Sequence, residues 1–285
     1  MNKAGLRVCK MDDVSPYLTQ IDRADADADF YKDVSSNKGH LYAVCYDGEV
    51  VGVSSIIDDA DAYVYVYIFP QHRCKGYGYL AVGASEQLLQ STPLESITTA
   101  YDSNNAVAEK LAKKCDFLLK HESLVMEYPG KKFGIPELPI RKHRDEDFLE
   151  AYTLSAEAFH IMRLETGHDP NSVPYPADEN ARQECLRTAD ERYIYALGDK
   201  IIGCAHIDGA EIDNIAIGIA YQGNGYGRKF MKYLTNEILA QGIGKPFLYC
   251  LASNKKALQL YQSLGYVEIF RNAYAVKKSK KAVVE

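Results

Sequence analysis

The apolar positions of this chain change period in a fixed order, and the order occurs twice. Each half opens on a short extended run, Leu6-Arg7-Val8-Cys9 or Pro139-Ile140-Arg141-Lys142. Acidic residues follow, Asp12 and Asp13 or Asp145 and Asp147, in N-cap positions for a helix. Alternation with a period of two then predicts two hairpins. LYAVCYDGEVVGVSS (41–55) turns at Asp47-Gly48, and YIYALGDKIIGCAH (193–206) turns at Gly198-Asp199. A further strand, YVYVYIF (63–69) or EIDNIAIGI (211–219), runs into a glycine loop that opens a helix. In the second half Phe230, Met231, Leu234 and Ile238 recur on one face of that helix. PFLYCLA (246–252) predicts a strand, and KKALQLYQSL (255–264) a helix stopped by Gly265. YVEIFRNAYAV (266–276) reads as a strand pair. Between the halves, PGKKFGIPELP (129–139) carries three prolines and two glycines and reads as a linker.

The repetition extends to single residues. Arg73, Gly76 and Gly78 recur as Gln222, Gly225 and Gly227, each 149 positions on. Asn105, Ala108, Leu111 and Phe117 recur as Asn254, Ala257, Leu260 and Tyr266 at the same offset of 149. Tyr42 and Gly52 recur as Tyr193 and Gly203 at 151, so the copies differ by two residues before the loop. The expected domains are 1–128 and 139–285 around a linker over 129–138.

The loop carries the chemistry. A diphosphate needs several donors converging on it, and backbone amides at a helix N-terminus supply them with the help of the helix dipole. Glycines permit the close approach and the positive φ angles of such a nest. A tight strand-to-helix turn alone also asks for glycines, so one loop decides little. No G-x-x-x-x-G-K-[ST] occurs, and the loop lacks the spacing of a dinucleotide fingerprint.

Two such loops, each followed by N-x-x-A and, in the second copy, by Tyr261, Gly265 and Tyr266, resemble the GNAT superfamily of acyl-CoA-dependent N-acetyltransferases. The resemblance covers roughly 4–128 and 138–278. It implies an α/β (α+β) fold of two tandem GNAT-like domains, each a mixed, mostly antiparallel sheet flanked by helices. It implies acetyl-CoA as co-substrate, with the pyrophosphate on the amides of Gln222, Gly223, Asn224, Gly225, Tyr226, Gly227 and Arg228. Ile215, Ala216 and Ile217 would bond the pantetheine arm and acetyl group, and Asn254 the pantetheine end. Tyr261 would protonate the departing thiolate. Glu211, 11 residues before Gln222, matches the glutamate that acts as base in some members, with Asp213 or water as alternatives. By strand parity Glu211 and Asp213 share a face with Ile215 and Ile217.

Copy one keeps Arg73-Cys74-Lys75-Gly76-Tyr77-Gly78, but the Tyr261, Gly265 and Glu211 positions are Ala112, Asp116 and Ala62. Copy one is therefore expected to be catalytically degenerate. Two functions follow, an N-acetyltransferase acting through copy two or a non-catalytic acyl-CoA-binding or scaffold protein. The acceptor is expected to be a small-molecule or peptide amine. The segment 165–179, with Glu165, Asp169, Asp178 and Glu179, is the expected specificity loop.

Composition narrows the rest. A chain of 285 residues has room for two ordinary domains, and 47% apolar with 25% charged residues is typical of globular proteins. The net charge of −6 gives no basic footprint for nucleic acid. The seven cysteines form no C-x-x-C pair, and the histidines show no metal spacing, so no disulfide framework or metal is expected. His72 and His160 read as ordinary surface or core residues, and Asp22, Asp25, Asp27 and Asp29 as a solvated helix face. MNKAGLRVCKMDD has no apolar run, and no stretch has membrane-spanning length, so a cytoplasmic location without membrane contact is expected. Oligomers remain open.

Overall fold

The computed structural model describes residues 5–10, 15–21, 40–57, 62–89, 94–171 and 177–278. The Asp22–Asp29 run and Asp12 and Asp13 lie outside the described residues. The chain forms two compact units. One comprises Met1–Ser123 with Arg271–Glu285, the other Leu124–Phe270. Each therefore completes its sheet with a strand segment from the other half of the sequence.

In the first unit β1 (Leu6–Lys10), β2 (His40–Tyr46), β3 (Glu49–Ile57) and β4 (Ala62–Ile68) pair antiparallel in sequence order. The β2–β3 turn has Asp47 at φ 50° and Gly48 at φ 86°, two successive left-handed residues of the kind that matches strand twist. After β4 the glycine loop leads into α1 (Tyr77–Leu88), then β5 (Ser96–Asp102) and α2 (Ala106–Lys114). Val82 of α1 and Ala112 of α2 pack with Val64, Ile97 and Phe117 on one sheet face. Val53, Tyr65, Tyr67 and Phe69 form a cluster that includes none of those residues, as alternation requires.

Along the chain β6 (Leu118–Glu127) follows, its residues from Leu124 on belonging to the second unit, and then β7 (Ile140–Lys142), α3 (Phe148–Thr166) and α4 (Glu179–Arg187). There follow β8 (Arg192–Leu197), β9 (Lys200–Asp208), β10 (Glu211–Ile217), α5 (Tyr226–Gln241), β11 (Phe247–Leu251) and α6 (Lys255–Ser263). The last strand, β12, spans Val267–Lys278. The second unit's strands lie in the order β6-β11-β10-β9-β8-β7. Its predicted α5 face is realised, since Phe230, Met231, Leu234 and Ile238 are all 0% exposed. Together with Leu258 and Tyr261 of α6 they cover one face, while Ala151, Leu154 and Ala158 of α3 cover the other. The proline-rich linker is fastened to α5. Phe133 N donates to Asn236 Oδ1 at 2.7 Å, and Asn236 Nδ2 donates back to the Phe133 carbonyl at 2.9 Å.

The expected strand pair at 266–276 is instead one strand. No glycine or proline interrupts Val267–Lys278, so nothing turns the chain. Its later part, Asn272–Lys278, pairs antiparallel with Asp102–Ser96 of β5. Lys277 then forms an ion pair with Glu86 of α1 and donates to the Cys115 carbonyl at 3.2 Å. β5 has only two partner pairs on its β4 side, Ala62↔Ile97 and Tyr63↔Thr98, so β12 is its main ladder. A chain ending at Phe270 is therefore expected to lose the protease resistance of 40–117 while 140–265 stays protected. Equal resistance of both regions in limited proteolysis would show that β12 is dispensable to the first unit.

Candidate active site

The two glycine loops have one conformation. Gly76 sits at φ 84°, ψ −2° before α1, and Gly225 at φ 79°, ψ 1° before α5. Two residues earlier Cys74 has φ 62° and Gly223 has φ 78°, so copy one holds the same left-handed turn with a residue that resists it. Neither helix has a side-chain cap at this end, which leaves the first-turn amides without an intrahelical partner. The Arg/Gln position braces the loop. Arg73 Nε donates to the Ile68 carbonyl at 3.0 Å, and Gln222 Nε2 to the Ile217 carbonyl at 2.9 Å. Asn224 also braces it, donating to the carbonyls of Tyr221 and Gln222 at 3.3 and 3.1 Å. The Tyr226 ring packs edge-on to Tyr195 at 5.8 Å, and Arg228 reaches back to Ser263 Oγ at 2.6 Å. These side chains shape the loop, which leaves Gly223, Gly225 and Gly227 to present backbone.

Beside the loop the sheet opens. β10 runs parallel to β11 with a single partner pair, Glu211↔Phe247. β4 and β5 part in the same way after two pairs. The opening exposes the backbone edge of Ile215–Ile217. Gly203 of the neighbouring strand permits the β9–β10 approach, since a Cβ there would stand 2.9 Å from the Ala216 carbonyl oxygen. Asn254 caps α6, accepting from Ala257 N at 3.1 Å, as Asn105 caps α2.

Tyr261 is 8% exposed and lies on the α6 face toward the sheet, its ring 6.1 Å from Tyr266. Burial, with Cys250 and Tyr266 nearby, pushes its phenol well above the ordinary range and keeps it neutral.

The strand-parity expectation for Glu211 and Asp213 fails. A bulge lies between Asp213 and Ala216, with Asn214 at φ 49°. Ile212, Ile215 and Ile217 all join the α5–α6 cluster, which alternation alone forbids from 212 to 215. Glu211 and Asp213 therefore stand on the α3 face, opposite the Ile215 and Ile217 side chains. Asp213 Oδ2 there lies 4.0 Å from His206 Nδ1, and His206 Nε2 lies 3.3 Å from Glu191. The Asp213 and Glu191 carboxylates raise the His206 pKa above its usual value, Asp213 leading and burial opposing. Sequence reasoning passed over His206. Its signal was its place opposite Asp213 in the β9–β10 hairpin, readable once the Asp208–Gly209–Ala210 turn is fixed.

The same face holds a cavity of about 240 Å³ between α3, α4 and the strands, lined by His143, Tyr152, Glu184, Arg192 and Asn214 among others. The acidic residues of 165–179 make local contacts. Glu165 pairs with Lys256 at 2.8 Å, Asp169 accepts from Asn171 N at 2.9 Å, and Asp178 caps α4 through Ala181 N at 2.8 Å. Glu179 pairs with Arg182 at 3.3 Å. Residues 172–176 of that segment lie outside the described residues.

The first unit has a larger cleft, about 470 Å³, running from the Arg73–Gly78 loop between β4 and β5 to the inner face of α2. Ala112 lies in its wall, and Asp116, at φ 65°, holds the left-handed turn that Gly265 makes at φ 93°. His72 Nε2 stands 3.5 Å from Glu49, and His160 is half-buried on α3. Among the described residues no helix is long and apolar enough to cross a membrane, and no group of three His, Cys, Asp or Glu could hold a metal.

The family model for the acetyltransferase (GNAT) family matches in two segments, 10–117 and 150–266. Ribosomal protein bS18-alanine N-acetyltransferase of Escherichia coli K12 is 40% identical over 70 residues, 24% of this chain and 47% of that protein. The Salmonella typhimurium counterpart is 35% identical over 89 residues, 30% and 57% of the two chains. The chain thus spans about half the length of the curated relatives it matches. A GCN5-related N-acetyltransferase from Sphaerobacter thermophilus shares the fold with TM-score 0.72 at 16% identity, over 98% of this chain and 96% of that one. A tandem GNAT protein from the clavulanic acid biosynthesis pathway does so with TM-score 0.63 at 11% identity, over 96% and 99%.

Proposed function

The chain belongs to the acetyltransferase (GNAT) family, and from that premise we propose that its second unit moves an acetyl group from acetyl-CoA to a primary amine. One observation carries the reading. The uncapped amides before α5, the opening between β10 and β11, and the buried neutral phenol of Tyr261 occur together in one unit. Such amides suit a pyrophosphate, and the β10 edge at the opening, where the Ile217 carbonyl already accepts from Gln222, suits the amides of a pantetheine arm. Asn254 would border that arm at the start of α6.

The amine nitrogen attacks the thioester carbonyl carbon and the C–S bond breaks. The sulfur leaves as thiolate and takes a hydrogen bond, then the proton, from the Tyr261 hydroxyl. A phenol held above its ordinary range gives up its proton late, so its first contribution is to stabilise the sulfur's charge. The surplus amine proton leaves through Asp213, Glu211 or water on the α3 face, where the cavity beside Asn214 gives an amine its approach. An α-amino group, with pKa about 7.7–8.0, is partly neutral near pH 7.5, whereas a lysine amine near 10.4 needs a stronger base. The curated relatives are named alanine N-acetyltransferases of ribosomal protein bS18, and peptides beginning with Ala are the first acceptors to try. The first unit, with Ala112 in place of the phenol, transfers nothing in this reading.

The test is turnover of the full chain with labelled acetyl-CoA and three acceptors: an Ala-initiated peptide, an N-blocked lysine peptide and a polyamine. Acetylated product in step with CoA release is expected for at least one. Tight acetyl-CoA binding with no product from any amine would instead favour a non-catalytic acyl-CoA-binding protein.

A further inference from the structure

We propose that the cleft of the first unit binds a CoA thioester whose acyl chain is longer than acetyl, seated in the space beside Ala112. The proposal rests on the reading of the glycine loop as a pyrophosphate cradle, and goes beyond it in the ligand's acyl part. The cleft's volume of about 470 Å³ lies within the range of small-molecule sites. Its inner end is formed by Val82, Ala112, Cys115 and Phe117, which are 8, 6, 5 and 3% exposed.

The residues 149 positions on are Met231, Tyr261, Leu264 and Tyr266. Every one is larger than its counterpart, and together they fill the second unit's core at 0, 8, 5 and 2% exposure. The two glycine loops share one backbone conformation, and at the inner end these four smaller side chains leave more room in the first unit. Losing the Tyr261 ring alone frees the volume of an aromatic side chain, in an apolar wall beside the strand opening. Apolar chain atoms entering such a space leave water, at about fourfold in affinity for each methylene that finds room.

The same walls are unsuited to transfer. No phenol stands where Tyr261 would, and α2 carries no hydroxyl to stand in for it. The Cys115 thiol is pushed up to about 11 by burial and stays protonated, which makes it a poor nucleophile toward a thioester. The ligand is therefore held intact.

The experiment is calorimetry on the full chain carrying Gly225→Val, so that the second loop does not report. CoA, acetyl-CoA and hexanoyl-CoA are titrated in turn. Hexanoyl-CoA is expected to bind at least tenfold tighter than acetyl-CoA and to be recovered unhydrolysed. Ala112→Tyr, which restores the missing ring, is expected to abolish that preference while acetyl-CoA affinity changes less than about threefold. Ala112→Leu, a smaller intrusion, covers the case in which tyrosine overpacks the site, and is expected to cut the preference severalfold. Equal affinity for the two thioesters, or full preference retained in the Ala112→Leu chain, would overturn the proposal. If the parent chain binds acetyl-CoA and the Gly225→Val chain binds no thioester, this proposal alone fails. If the parent chain binds none, the loop reading and the proposed function fail with it.

Discussion

Gly225→Val is expected to eliminate turnover, with kcat/KM for acetyl-CoA down by at least about a thousandfold. Gly225 lies at φ 79° at the mouth of α5, in a backbone region that a β-branched residue enters only with strain of about 1–3 kcal/mol. A Cβ there meets nothing within 4 Å, so the fold has room for it. The added side chain projects into the open space over the loop, where a pyrophosphate would have to lie. Either the loop relaxes and its amides turn away, or it holds and the valine covers them. Both routes remove the cradle without removing the core. The check is steady-state kinetics with varied acetyl-CoA, alongside thermal unfolding. A loss of activity matched by a collapse in thermal stability would implicate folding instead of the cradle, and wild-type kinetics would remove the loop from the mechanism.

Tyr261→Phe is expected to lower kcat by about 100- to 10,000-fold, the usual worth of a positioned proton donor. Acetyl-CoA KM should change little, because phenylalanine keeps the ring between α6 and the sheet. Burial leads the causes that raise the phenol's pKa, so it stays protonated through the working range. A required neutral group with a raised pKa is lost only as pH climbs through that raised value, so the wild-type profile should show no alkaline fall below about pH 10, the ordinary tyrosine value. The variant should keep the acid limb, set by the amine, at a reduced plateau. A wild-type kcat for the phenylalanine variant on a responsive amine would make Tyr261 a packing residue only.

Gln222 and Asn224 illustrate how position and role separate. Their places in the loop follow from the motif, yet their side chains spend their hydrogen bonds on the loop's own carbonyls. Asn254 likewise caps its helix through Oδ1. Variants at these three positions therefore alter loop and helix geometry as well as any ligand contact, and they discriminate less sharply than Gly225 and Tyr261.

By itself the sequence determined the local elements and their repetition. Asp47-Gly48 and Gly198 specify hairpins because few residues accept φ above zero. Phe230, Met231, Leu234 and Ile238 specify a buried helix face because their spacing matches the helical turn. The 149-residue offset showed one loop built twice. Each of these signals is carried by residues close together in the chain. The tertiary structure decided what depends on distant partners. Arg271–Lys278 complete the first unit's sheet because the strand they ladder with, β5, lies more than 160 residues earlier. Asn214 takes the bulge that turns Glu211 and Asp213 to the α3 face, an exchange of one backbone angle that alternation cannot register. The space beside Ala112 exists only where α2 meets β4, β5 and α1, for a cavity is a property of packed neighbours and no single residue encodes it.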